Sequence, residues 1–193
     1  NTLNHAKDEK ELRRRDALLD ELRGLHRAWP EDAPVREPLA KSLFNMLNDA
    51  KDEKDLMRRD ALLDELRELH RKWPGDAAVR ESLVMGLFNT LNYVKDEKDV
   101  TRCDALLDEL RELHRKWPGD AVVRESLASG LFNRLNDAKE EKGLTRCDAL
   151  LDELRKLHRN WPDDAAVRES LASGLFNRLN DAKDEKDVTQ RDA

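Results

Sequence analysis

The sequence predicts an all-α solenoid of antiparallel helix pairs, and three observations carry that prediction. The pair Trp-Pro recurs at residues 29, 73, 117 and 161, a fixed step of 44 residues, and a step of this length is the signature of a repeat architecture. Residues 89–132 match 133–176 at 34 of 44 positions, so one unit has been copied and its copies are nearly interchangeable. Within each unit the leucines recur by threes and fours, which lines them up on one side of an α-helix. The chain divides into a partial unit 1–30, units 31–74, 75–118 and 119–162, and a partial unit 163–193, forming a single array in which contacts run between neighbours. Because it starts and stops in mid-unit, it is expected to be a piece of a longer array.

The elements follow in order within the unit 119–162. Asp120 comes after the turn Trp-Pro-Gly and is suited to cap a helix, since its carboxylate accepts an orphan backbone N–H while proline has stopped the preceding helix. A first helix from Ala121 to about Lys139 places Val123, Leu127, Leu131, Phe132 and Leu135 on one half of its wheel, with Glu125, Ser129, Asn133 and Asn136 on a narrow opposite arc. The segment Lys-Glu-Glu-Lys-Gly, or Lys-Asp-Glu-Lys-Asp in other copies, has no apolar member and marks the bend. A second helix from about Leu144 to Asn160 carries Leu144, Cys147, Leu150, Leu151, Leu154 and Leu157 in one seam that ends at Trp161. Its other side, with Asp152, Glu153, Arg155, Lys156 and Arg159, reads as a solvated face with exposed ion pairs. Neither helix can bury its seam without the next hairpin, so stacking is what stabilises the fold, at about 1.5–3 kcal/mol for each fully buried leucine.

Composition narrows the partners. Charged residues make up 40% and hydrophobic ones 38%, and the net charge of −6 arises from 42 acidic and 36 basic residues mixed along the chain. No basic stripe suited to phosphates stands out, so nucleic acid is not expected as a partner. The sequence holds no run of 18 apolar residues and opens on no leader, so neither a membrane span nor a signal peptide is expected. Cys103 and Cys147 occupy the same position in successive units, and equivalent helices about 8–10 Å apart cannot bring their Cα atoms within disulfide range. Both are expected as free thiols, which favours a reducing, cytoplasmic compartment.

The closing prolines (Pro30, Pro74, Pro118, Pro162), the leucine seven residues into each first helix (Leu39, Leu83, Leu127, Leu171), and Leu106 and Leu110 ahead of Pro118 together resemble the tetratricopeptide repeat. The resemblance covers the whole chain and implies a right-handed superhelical α-solenoid whose first helices line a concave face that binds extended peptides or partner helices. The unit departs from that family in its 44-residue length and in carrying Arg80, Arg124 and Arg168 where the family often has tryptophan. HEAT and armadillo arrays, at about 40–47 residues, are nearer in period alone.

On that resemblance the polar arc of the first helices is the candidate peptide- or protein-binding surface. It comprises Lys41, Asn45 and Asn48; Met85, Asn89 and Asn92; Ser129, Asn133 and Asn136; and Ser173, Asn177 and Asn180. A carboxamide both donates and accepts, so a row of them can grip a peptide backbone without reading its sequence. The same amides would equally serve to bond adjacent units. Variation at Lys41, Met85, Ser129 and Ser173, and at Asp49, Tyr93, Asp137 and Asp181, would set partner choice or reflect a tolerant surface. His26, His70, His114 and His158, one per unit, cannot converge on one metal ion and read as half-buried packing residues that are neutral when buried. The four tryptophans read as packing between units. No nucleophile stands beside a base, so no enzyme, catalytic residue, cofactor or metal is expected. The chain reads as a protein-binding scaffold. The alternative is a structural module that stacks end to end, because cut ends of an array expose apolar seams.

Overall fold

A computed structural model describes the backbone of residues 2–50, 56–96, 99–140 and 144–191, and the side chains of 10–50, 56–94, 99–138 and 145–180. Among the described residues eight helices follow one another: α1 (Thr2–Ala28), α2 (Ala33–Asp49), α3 (Leu56–Lys72), α4 (Ala77–Asp96), α5 (Val100–Lys116), α6 (Ala121–Glu140), α7 (Leu144–Asn160) and α8 (Ala165–Arg191). No strand occurs among the described residues; α7 has the bounds expected of it, and α6 ends at Glu140, one residue beyond the Lys139 expected. No helix is long and apolar enough to cross a membrane among the described residues.

The chain forms two compact units, Asn1–Gly86 and Leu87–Ala193. In the first, α2 packs on α1 and on α3; in the second, α6 packs on α5, α7 and α8, and α7 packs on α8. Leucines fill both cores: Leu39, Leu43, Leu63 and Leu66 are buried in the first, and Leu107, Leu110, Leu131 and Leu154 in the second. Two glycines that look isolated in the sequence mark where helices approach closely. A Cβ on Gly130 of α6 would meet Leu91 at 3.1 Å and Leu107 at 3.3 Å, and one on Gly174 of α8 would meet Leu151 at 3.3 Å.

The backbone of the Trp-Pro-x-Asp turn closes the same way in each copy, the aspartate N–H donating to the tryptophan carbonyl at 3.1 to 3.2 Å. The Trp73 and Trp117 N–H groups donate to the Leu69 and Leu113 carbonyls at 3.0 and 2.9 Å and close α3 and α5. Asp76 Oδ1 then accepts from Ala78 N and Val79 N at 3.1 and 3.2 Å, and Asp120 Oδ1 from Val122 N and Val123 N at 3.1 and 3.3 Å, the N-caps expected of these residues. Asp32 precedes α2 in the same position, but its side chain makes no capping bond. Asp99 caps α5 by accepting from Arg102 N at 3.1 Å.

The expected bend between first and second helices lies outside the described residues at 51–55, 97–98 and 141–143. In the two end copies the helix runs on instead. α1 passes straight through residues 7–11 and α8 through 183–187, giving 27 residues each against 17 to 20 in the inner helices. These stretches contain neither proline nor glycine, and with no second hairpin helix folded back on them nothing ends the backbone ladder.

Cys103 and Cys147 are buried thiols that form no disulfide, and Cys147 Sγ donates to the Leu135 carbonyl at 3.7 Å. Burial pushes the Cys103 thiol up, against the opposing effect of the Arg134 guanidinium. Buried guanidinium groups replace part of the apolar seam. Arg59, at the cysteine position, donates to the Ala50 carbonyl, whereas in the second unit Arg134, 1% exposed in its side chain, reaches Asp104 at 3.0 Å from the first-helix side. The burial of these two arginines is not visible in the leucine spacing.

Candidate binding surface

The polar arc begins with helix geometry: residues four apart share a face, so Glu37, Lys41, Asn45 and Asn48 form one exposed strip along α2. Glu81 and Met85 continue the pattern as exposed residues of α4 in the first unit. In the second unit Asn89 and Asn92 at the end of α4, Ser129, Asn133 and Asn136 on α6, and Ser173 and Asn177 on α8 are half-buried, while Glu125, Glu169 and Asn180 are exposed. Asp181 lies outside the described side chains.

The asparagines meet one another across neighbouring units. Asn133 Nδ2 donates to Asn92 Oδ1 at 2.6 Å, and Asn177 Nδ2 to Asn136 Oδ1 at 2.7 Å. Each bond joins the first asparagine of one copy to the second asparagine of the copy before it. A carboxamide has two N–H donors and two acceptor lone pairs, so one bond of this kind leaves further capacity on both partners. Lys41 is held by its own helix: its Nζ donates to Glu37 Oε1 at 2.6 Å, and this bond, followed by the Glu37 charge, raises the ammonium above its ordinary value.

Within each compact unit, charged pairs join neighbouring copies. The arginine four residues after the Trp-Pro-x-Asp aspartate reaches the next copy once in each compact unit. Arg36 Nε donates to Asp76 Oδ2 at 2.8 Å, and Arg124 Nε to Asp164 Oδ2 at 2.5 Å. Both pairs are nearly buried, and each guanidinium lies over the tryptophan of the next turn, 4.9 Å from the Trp73 ring and 4.3 Å from that of Trp161. One carboxylate therefore caps a helix with Oδ1 and locks a neighbour with Oδ2. Burial pushes Asp76 and Asp164 up; the bonds from arginine and from backbone N–H outweigh it, and both carboxyls lie below their ordinary range.

The second helices add further locks, which corrects the expectation of a purely solvated charged face. Arg23 grips Glu65 through Nε at 3.0 Å and Nη2 at 2.6 Å, and Arg111 grips Glu153 through the same two atoms at 2.9 Å each. Arg58 donates to Asp16, and Arg146 to Asp104, at the equivalent step. The i,i+3 pairs Arg67–Asp64 and Arg155–Asp152, both at 2.7 Å, remain on the exposed face as expected. The cross-copy partners are 40 to 42 residues apart, just under one period.

The histidines lie among these groups. His26 meets the Trp73 ring edge-on, with centroids 4.9 Å apart. Burial, then the positive charges of Arg36 and Lys72, lowers His26 below its ordinary value despite Glu65 and Glu31; burial and Arg124 do the same to His114. Their buried Nδ1 atoms meet no hydrogen-bond partner. Among the described residues, no three His, Cys, Asp or Glu side chains converge as metal ligands. No protein-family model, no curated protein and no solved structure matches the chain.

Proposed function

We propose that the chain is a non-catalytic scaffold, a tetratricopeptide-like right-handed α-solenoid that binds a protein or peptide along the polar arc of its first helices. One observation carries the reading: along otherwise repeated strips, the exposed or half-exposed position 41/85/129/173 changes from Lys41 to Met85 to Ser129 and Ser173. Repeated residues around a changing one supply common backbone recognition together with local choice of side chain. In this reading the asparagine bonds set the spacing of the strips, and the remaining amide capacity meets the ligand. The partner is a protein or peptide, with no cofactor, metal, nucleic acid or membrane required.

The test is selection of binders from a displayed library of random peptides, repeated with Met85→Arg/Ser129→Arg. These positions make none of the asparagine bonds, so circular dichroism should match the wild type while selected peptides lose at least tenfold in affinity. Peptides that bind both forms equally would move the binding site away from the arc. A second reading, a structural module that stacks end to end, is favoured by the exposure of Leu175, Phe176 and Leu179 on α8 and of Leu18 and Trp29 at the other end.

A further inference from the structure

We infer that a second copy of this chain docks on the α7–α8 end with its α1–α2 end, in the register of the repeat. The inference rests on the stacking reading and specifies its joint; it is independent of whether the polar arc binds a ligand. What covers these end faces is given by the inner copies of the same residues. Leu135 on α6 is 2% exposed, whereas Leu179, one period later on α8, is 71% exposed and its neighbour Phe176 is 64% exposed. Leu106 and Leu150 are 3% and 5% exposed on α5 and α7, whereas Leu18, their equivalent on α1, is 51% exposed. The two ends are therefore the two halves of one inner interface.

The polar locks agree with the apolar faces. Each lock seen between inner copies is half-present at one end, with the missing half at the other. Arg124 takes Asp164 and the Trp161 ring; its equivalent Arg168 is exposed, and the residues it would take in a second copy are Asp32, whose side chain caps nothing, and Trp29, 58% exposed. Arg111 takes Glu153; Arg155 would take Glu21, which is exposed. Asp104 accepts from Arg134 and from Arg146; Asp148 accepts from Arg178 at 3.1 Å and stands ready for Arg14. Asn136 accepts from Asn177, and Asn180 would accept from Asn45, both exposed. Four polar pairs thus fall into place in the one register that also joins the leucine faces. The contact is heterologous, since each end meets the other kind of end, so it adds copies head to tail and does not close as a two-fold dimer. α8 continues as helix to Arg191 and α1 is helical from Thr2, so both helices extend past the residues paired in this register.

Sedimentation velocity and light scattering on the whole 193-residue chain test the joint. The mean mass should rise above the 22.4 kDa of one chain as concentration goes from micromolar towards millimolar. Phe176→Glu/Leu179→Glu, altering only side chains that are exposed in the single chain, should stay at one chain's mass with unchanged helicity. Two charge-reversed forms decide the register: Arg155→Glu/Arg168→Asp and Glu21→Arg/Asp32→Arg. Each alone should lose mass growth, because its joints oppose like charges, and an equimolar mixture should regain it, because both mixed joints restore opposite charges. The inference is overturned if the wild type stays at one chain's mass throughout, if either reversed form grows alone like the wild type, or if the mixture stays at one chain's mass. None of these outcomes touches the peptide-binding test, whose variants lie on the arc.

Discussion

Arg124 shows how much one side chain does in a thin core. It ties α6 to the capping carboxylate of the next first helix, and its planar group covers an indole. Arg124→Met leaves Asp164 nearly buried without its cation, and removing one partner of such a pair costs about 3–5 kcal/mol. We expect a loss near the lower figure, about 3 kcal/mol, because Asp164 keeps its bond from Val167 N; urea titration followed by circular dichroism measures it. Arg155→Ala removes an exposed pair and should cost about 0.5 kcal/mol or less. The histidines give a pH dependence of definite sign. His26 and His114 lie below the ordinary value of 6.5 in the folded chain, so on acidification the unfolded chain takes up protons first. Their contribution is fully present above pH 6.5 and is lost as pH falls through that value towards the lowered folded ones. Asp76, Asp104 and Asp164, also lowered, lose theirs only below the ordinary 3.8. The melting temperature should therefore be lower at pH 5.5 than at 7.5, and His114→Gln should flatten that difference.

At the scale of the helix and hairpin, two glycines of opposite character separate propensity from packing. A Cβ on Gly24 in α1 meets nothing within 4 Å, so Gly24→Ala should stabilise by about 1 kcal/mol through helix propensity alone. Gly130 has Leu91 at 3.1 Å, so Gly130→Val forces two helices apart and should destabilise by about 1–3 kcal/mol. Thermal melts of the two variants, moving in opposite directions, check both. Much of this scale was legible in the sequence. Threefold and fourfold leucine spacing fixed α6 and α7, and the aspartate after Trp-Pro placed the caps, because these signals act within one turn of backbone. Gly130 escaped because a missing side chain has meaning only once its neighbour is placed. Arg36, Arg124 and Arg111 escaped as cross-copy locks because a charged residue at a given helix position looks the same whether it faces water or the next copy. The straight run of α8 through residues 183–187 escaped for the complementary reason: the expected bend depends on a partner helix, and the local sequence does not enforce it.

For the molecule as a whole, stability should follow the number of neighbour interfaces. Inserting one more copy of residues 119–162 after Pro162 adds a full set of leucine contacts and locks, so the longer chain should melt at a higher temperature and with greater helical ellipticity, read in one circular dichroism series. The joint between chains should be weaker than those within one. Ser42 stands where the later copies have Gly86, Gly130 and Gly174, and Leu135 lies 3.6 Å from where a Gly174 Cβ would be, so in the docked register Leu179 meets the Ser42 side chain. Ser42→Gly should accordingly lower the concentration at which mass begins to rise in sedimentation. The polar arc was legible only in outline. Its residues could be named because they are left over once packing is assigned, but the Asn133–Asn92 and Asn177–Asn136 bonds depend on how far one first helix is offset from the next, which no single unit encodes.

Each full unit contains both the giving and the receiving residue of three locks: the arginine for the copy ahead and the aspartate for the copy behind, the glutamate and its arginine, the two asparagines. A gene encoding such a chain can gain or lose a 44-codon segment by unequal recombination, and the new junction again brings these three kinds of partner together. Change in copy number then preserves the pairing at every junction while altering how many junctions hold the chain together.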